Sequence, residues 1–299
     1  LQFKFKNRTK LPKYNETEPI LFINSFQHHE TSMTQFDFFV IIFVSNFIQF
    51  TMLNVLSSHR SIRKYTDRPV DRALIENLLE TAVQGSSNTG NMQTYSVVVT
   101  TNEDLKKKLS PAHFGQPMVV QAPAVITFCA DFHRFSLWCE QREAQPGYDN
   151  FESFISAAVD AVVLAQSFAL AAESRGLGIC YLGTTTYNAA EIIEALRLPS
   201  LVVPVTTLTV GYPAEDPALT DRLPLSAVVH HEKYEDYTEE KIGRLYEQKE
   251  NSEFYRKFVA ENNKKTLAQV FTDVRYTREA NEFFSEKFLN VLRNQGFLK

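Results

Sequence analysis

The run FESFISAAVDAVVLAQSFALAAESRG, residues 151–176, decides the fold. It is rich in Ala, Val and Leu on almost every side, and it closes on Arg175-Gly176 as a helix C-terminus does. A helix apolar all round has to be buried, either in the centre of a domain or in a subunit interface. Outward from it, GICYL (178–182) reads as a short strand and 189–196 as a helix. The segment VVPVTTLTVGY (202–212) reads as a β-branched strand broken by Pro204. On the other side AVITFCA (124–130) is a continuous apolar run, suited to a strand covered on both faces. A short helix over 103–109 and a strand over 95–101 precede it. Over 74–84, Leu74, Ile75, Leu78, Leu79 and Ala82 share one face and Glu76, Asn77 and Glu80 the other, so the spacing predicts an amphipathic helix capped by Asp71. The tail, 238–299, is polar and helical, with Phe271, Phe283, Phe284, Phe288 and Leu292 as scattered anchors. This mix gives an α+β or α/β chain, and the elements do not alternate regularly enough to read a doubly wound sheet from pattern alone.

An apolar share of 44% with 22% charged residues suits a chain that buries a core rather than a disordered one. Lys plus Arg is 31 against 35 for Asp plus Glu, and the net charge of -4 with no basic block argues against a general nucleic-acid binder. Three cysteines, Cys129, Cys139 and Cys180, form no CxxC pair, which points away from a disulfide framework or structural zinc and towards a reducing, cytoplasmic compartment. They sit in or beside apolar runs, as inert thiols do. His28-His29 and His230-His231 lack a second ligand pair at helical spacing, so no metal site is expected. The GLG at 176–178 belongs to no GxGxxG fingerprint.

Residues 1–51 differ from the rest. The stretch FDFFVIIFVSNFIQF (36–50) is about 15 residues long, short of the roughly 20 a spanning helix needs, and a long polar segment precedes it. The expectation is a start placed upstream of the working domain, which would begin near Met52, with a membrane-surface anchor as the rival.

Two segments carry candidate chemistry. His59-Arg60-Ser61-Ile62-Arg63-Lys64-Tyr65 packs two guanidiniums, an imidazole and a hydroxyl into a short stretch that suits a phosphate, or equally forms a solvated basic turn. Ser86-Ser87-Asn88-Thr89-Gly90-Asn91-Met92-Gln93 offers small residues for close approach to a planar ligand and amides to read a heterocycle, or is an ordinary surface loop. Trp138 and Phe135 lie in a less patterned stretch, 131–150, that either flaps over a site or simply packs.

HRSIRKYTDRPV (59–70), SSNTGNMQ (86–93), CADFHR (129–134), AAESRGLGICYLG (171–183), LTVGYPAEDPAL (208–219) and RLP (222–224) occur in one order. Together, from Met52 to the C-terminus, they resemble the nitroreductase/flavin reductase family in its oxygen-insensitive NADPH-dependent branch. The resemblance implies an α+β nitroreductase-type fold with a central mixed or antiparallel sheet flanked by helices, an intertwined homodimer and an FMN-binding domain over 52–299. It implies non-covalent FMN at the subunit interface, with NAD(P)H as reductant and nitroaromatics, quinones or free flavins as small-molecule acceptors. Carried over by position, His59, Arg60, Ser61 and Arg63 would hold the FMN phosphate and ribityl end. Ser86, Ser87, Asn91 and Gln93 would line the ring and ribityl chain, and Gln116 would touch one or the other. Tyr181, Leu182 and Gly183 would pack against the isoalloxazine, and Arg222 would return to the phosphate.

The sequence also departs from that pattern. Thr220 stands where the branch carries a lysine two residues before the last phosphate arginine, Thr184-Thr185-Thr186 replaces Gly-X-Arg, and Ser285 falls near the place of a 2′-phosphate arginine. Arg275, Arg278 and Lys287 lie close by in sequence. No triad, paired carboxylate or metal motif is expected, because flavin chemistry belongs to the cofactor. A flavin reductase supplying a partner and a non-catalytic flavin-binding protein are the alternatives.

Overall fold

Period-two alternation in β-branched segments, separated by helical stretches, builds a layered structure around one sheet. The computed structural model describes residues 52–299, and these fall within a single unit. The expectations for residues 1–51, and for His28-His29 within them, lie outside the described residues.

In chain order the helices are α1 (Met52–Ser57), α2 (Arg72–Gly85), α3 (Glu103–Leu109), α4 (Pro117–Gln121), α5 (His133–Glu140), α6 (Phe151–Ser174) and α7 (Ala189–Leu196). The tail adds α8 (Glu239–Asn251), α9 (Glu253–Glu261), α10 (Leu267–Val270) and α11 (Arg278–Asn294). The strands are β1 (Tyr95–Thr100), β2 (Ala124–Asp131), β3 (Gly178–Leu182) and β4 (Val202–Gly211). They form one sheet in the order β1-β2-β4-β3, with every pair antiparallel. A single parallel rung, Ser61 to Ile179, lies on the free edge of β3.

β2 is buried along its whole length, as its unbroken apolar run requires. Ile126 and Phe128 face a core shared with Ile75 and Leu78 of α2 and Leu164 and Phe168 of α6. Val125 faces the other layer, with Leu109, Met118, Leu182 and Ile192. Alternation along the strands thus sandwiches the sheet between α2/α6 and α3/α4/α7. A third cluster, Ala130, Phe154, Val203, Val291, Leu292 and Phe297, closes one end with the tail.

One expectation is corrected. Pro204 does not break its strand: β4 runs through it, and the register shifts where Phe128 pairs Thr206 and Cys129 pairs Pro204. A bulge absorbs the missing N–H donor. Helix α6 buries one face inside this chain. Its Ala157, Ala161, Leu164, Ala165, Phe168 and Ala172 enter the core, but Phe151, Ile155, Val159, Val162 and Val163 are exposed along the opposite face. By length and composition α6 could cross a membrane, yet its inner face packs on the sheet.

Candidate functional site

The basic run is fastened to the sheet edge by backbone and carboxylates together. Ile62 N donates to Ile179 O (2.8 Å), Thr66 N to Tyr212 O (2.9 Å) and Ala214 N to Lys64 O (2.9 Å). The Tyr65 hydroxyl donates to Ile62 O at 2.6 Å and lies 2.7 Å from Thr209 Oγ1, and burial pushes the phenol above its ordinary range. Glu215 Oε1 accepts from the N–H groups of Arg63 (2.6 Å) and Lys64 (3.0 Å). Arg60 Nε stands 3.4 Å from Asp216 Oδ1, and its Nη1 donates to Ser58 O. His59 Nδ1 lies 2.7 Å from Glu173 Oε1 near the end of α6, and burial raises the Glu173 carboxyl against the opposing pull of that imidazole. Tyr181, on β3, faces the same side and donates to Gln166 of α6 (3.2 Å). His59, Arg60, Ser61, Arg63 and Tyr181 are therefore brought to one edge, around β3.

The loop 86–93 is pinned to α6. Asp160 accepts from Thr89 N (3.0 Å) and Thr94 Oγ1 (2.9 Å). Gly90, Asn91 and Gln93 have φ of 56°, 55° and 54°, a left-handed region that asparagine tolerates better than glutamine. Gln93 is held there from both ends: its N–H donates to Asn88 Oδ1 (3.1 Å), and its carbonyl accepts from Arg134. Ser87 and Asn91 are exposed, whereas Ser86 is buried, its hydroxyl donating to Ala82 O (2.6 Å) and lying 2.9 Å from Ser167 Oγ. Ser86 thus ties the end of α2 to α6.

Gln116 opens α4, and Gly183 follows β3. Their loops meet through His113, whose Nδ1 is 2.8 Å from Thr184 Oγ1, and through Asn188, which donates to Ala112 O (2.9 Å). Burial lowers His113 to about 4, so this imidazole is neutral. The Leu182 side chain points into the α3/α4/α7 layer, so only its backbone is free to pack against a ligand. The period of the strand is the reason.

Arg222 lies apart from the early cluster in its contacts. Its Nη1 donates to Thr220 O (3.2 Å) and Asp221 O (3.0 Å). It lines a cavity of about 460 Å³ with Thr220, Lys249 and Tyr255, and none of residues 59–63 lines that cavity. Asp221 joins Lys249 (2.8 Å) and Tyr255 (2.9 Å), and these bonds hold its carboxyl below the usual range.

The remaining cations near the tail are engaged. Lys287 donates to Asn188 and Glu191, both at 2.7 Å, Arg278 pairs with Glu282, and Arg275 stacks on Phe258. Among the described residues no cluster of His, Cys, Asp or Glu could hold a metal ion. The three cysteines are free and buried, and burial pushes Cys129 up to about 12. The stretch 131–150 contains helix α5 and an aromatic cluster in which Phe132 stacks on Tyr148 at 4.7 Å.

Glu173, Glu215, Asp216, Asp160, Arg134 and His113 are the residues that sequence reasoning missed. Acidic partners separated from the arginines by more than a hundred residues leave no local signal.

The fold and this edge define an α+β protein with cationic and hydroxyl donors gathered along β3 and a left-handed loop pinned to α6. The sequence profile of the Nitroreductase family matches residues 56–212. The chain is 38% identical over 185 residues to the FMN reductase (NAD(P)H) of Bacillus subtilis, covering 61% of this chain and 74% of that one. It is 37% identical over 196 residues to the oxygen-insensitive NADPH nitroreductase of Salmonella typhimurium, covering 66% and 80%. A crystal structure of a Bacteroides fragilis protein, 55% identical, superposes with a TM-score of 0.81 over 82% of this chain and 100% of that one. The NfrA1 nitroreductase of B. subtilis superposes with a TM-score of 0.72 at 26% identity, over 83% and 99%. The chain belongs to the nitroreductase family.

Proposed function

We propose that this chain is an FMN-dependent NAD(P)H oxidoreductase that reduces nitroaromatics, quinones or free flavins in a ping-pong cycle, working as a homodimer in the cytoplasm. The observation that carries the reading is the docking of residues 59–65 on β3, which sets Arg60, Ser61 and Arg63 side by side on one edge. Two guanidiniums, a hydroxyl and an imidazole make a donor set that fits a phosphate monoester. The curated relatives' names agree with it in cofactor and reductant.

Bound FMN would supply the hydride chemistry, and the chain supplies binding and orientation. Arg60, Ser61 and Arg63 would hold the phosphate. Asp216 and Glu215 fix the approach of those arginines, and Glu173 fixes the His59 ring. Ser87, Asn91 and Gln93 would border the ribityl chain and ring from the left-handed loop, with Arg134 keeping Gln93 in register. Gln116, Gly183 and Tyr181 would border the ring, while Ser86 ties the end of α2 to α6. Arg222 would approach the phosphate from the return segment that begins at Gly211. Hydride transfer asks for an open flat face on the ring rather than an acid or base.

The exposed stripe Phe151, Ile155, Val159, Val162 and Val163 supports the homodimer, since an apolar face of this length is what a two-fold interface covers. The free, buried cysteines support a reducing compartment.

The test is anaerobic. Protein loaded with FMN should lose its visible flavin band on addition of NADPH or NADH and regain it on addition of nitrofurazone or menadione. A band that neither nucleotide bleaches would favour a flavin-binding protein without turnover. Turnover of free FMN far above that of nitrofurazone would assign it as a flavin reductase that supplies a partner.

A further inference from the structure

Phe114 has a backbone conformation that a bulky side chain seldom adopts. Its φ of 55° and ψ of 33° place it in the left-handed region, immediately before Gly115, which is left-handed too. Glycine would occupy this position without strain, and yet the residue is a phenylalanine that is 56% exposed. An exposed aromatic gains little from burial, so packing alone does not explain the strain.

The ring is not isolated. It meets Phe284 of α11 edge-on at 6.0 Å and Tyr187 at 6.4 Å, while Tyr187 and Phe284 stack on each other at 4.5 Å with 14° between their planes. The support beneath is firm. His113 bonds to Thr184, and Lys287 links α11 to Asn188, which in turn holds Ala112 O. Charge around the shelf is cancelled: Lys287 is paired with Glu191, and the buried His113 is neutral. Phe114 and Tyr187 belong to the two loops that carry Gln116 and Gly183.

We propose that Phe114, backed by Phe284 and Tyr187, is the seat of the electron acceptor and selects planar, uncharged aromatic rings such as quinones. The inference rests on the function proposed above, because Gln116 and Gly183 reach the flavin only in that reading. Preorganised aromatic faces bind flat rings by offset or edge-on stacking, and the cost of ordering the seat is met during folding.

The test uses FMN-loaded wild type, Phe114→Ala and Phe114→Tyr. Each is titrated with menadione in the absence of reductant, following the flavin's visible band. Each is then turned over with menadione and, separately, with ferricyanide, a small ion that needs no aromatic seat. The Ala variant should bind menadione about tenfold more weakly and raise its KM to match, as loss of an aromatic contact implies. The Tyr variant should stay close to wild type, and flavin content and ferricyanide turnover should hold in both. Phe114→Gly should bind menadione as weakly as Phe114→Ala and, with the left-handed strain relieved, melt no lower than wild type. Unchanged menadione binding in the Ala and Gly variants would overturn the proposal. So would lost flavin, or an equal loss with both acceptors, since either moves Phe114 to the cofactor or the reductant. A wild-type protein that takes up no FMN refutes the proposed function itself, a result distinct from all of these.

Discussion

Gly178 passes so close to Ile62 that a β-carbon on it would stand 2.7 Å from Ile62 Cβ. The basic run can therefore lie directly on β3, with Ser61 opposite Ile179 and Arg60 and Arg63 on either side. The glycine sets the height of the proposed phosphate site above the sheet.

Gly178→Ala tests this. Backbone and side chain would have to part, which in a packed core typically costs about 1–3 kcal/mol. The expected outcome is a lower Tm and weaker FMN binding together, measured by thermal melting and flavin fluorescence. A variant with reduced stability and wild-type FMN affinity would show that this height does not govern the site.

Arg60→Ala combined with Arg63→Ala removes the two guanidiniums. Hydrogen bonds to charged groups are worth about 1.5–3 kcal/mol each, so FMN affinity should fall on the order of a hundredfold or more. Riboflavin, which lacks the phosphate, should bind wild type and variant alike. Equal losses for both flavins would mean that the arginines act on the fold rather than on the anion.

His113 gives a pH dependence with a definite sign. Its folded pKa is depressed to about 4 from an ordinary 6.5 by burial. The unfolded chain therefore binds the extra proton first, and stability falls as pH drops from 6.5 towards 4. The loss would approach about 3–4 kcal/mol at most, once the pH lies below both values. His113→Asn, which keeps an amide near Thr184 but does not titrate, should flatten this acid limb in urea melts at stepped pH. An unaltered limb would assign the acid sensitivity to other groups.

Val159 and Val162, 56% and 46% exposed on the outer face of α6, address the dimer. Val159→Asp with Val162→Asp would place two charges in the proposed interface, where an unpaired buried charge costs several kcal/mol. Sedimentation should show wild type as a dimer and the variant as a monomer at micromolar concentration. A wild-type monomer, or a variant dimer of unchanged affinity, would remove α6 from the interface.

The strands and helices were legible because their signals are local. Short β-prone segments mark β1 and β3 within a residue or so, and the bounds of α3 and α7 coincide with the pattern. Proline misled at Pro204 because a bulge in β4 depends on its neighbour β2, not on β4's own composition. The two-residue period of β3 sends Leu182 away from the face of Tyr181, and only the layers on each side determine which face meets which core.

The amino-acid sequence by itself determined the element types, the buried character of β2 and the donor chemistry of Arg60, Ser61 and Arg63, since these follow from residue type and short-range period. The tertiary structure alone decided which face of α6 stays open, that Ser86 spends its hydroxyl inside the fold, and that Arg63 meets a carboxylate 152 residues further on. Such pairings depend on strand order and loop closure. Both are set by how the whole chain buries its apolar surface, and no window of neighbouring residues contains that information.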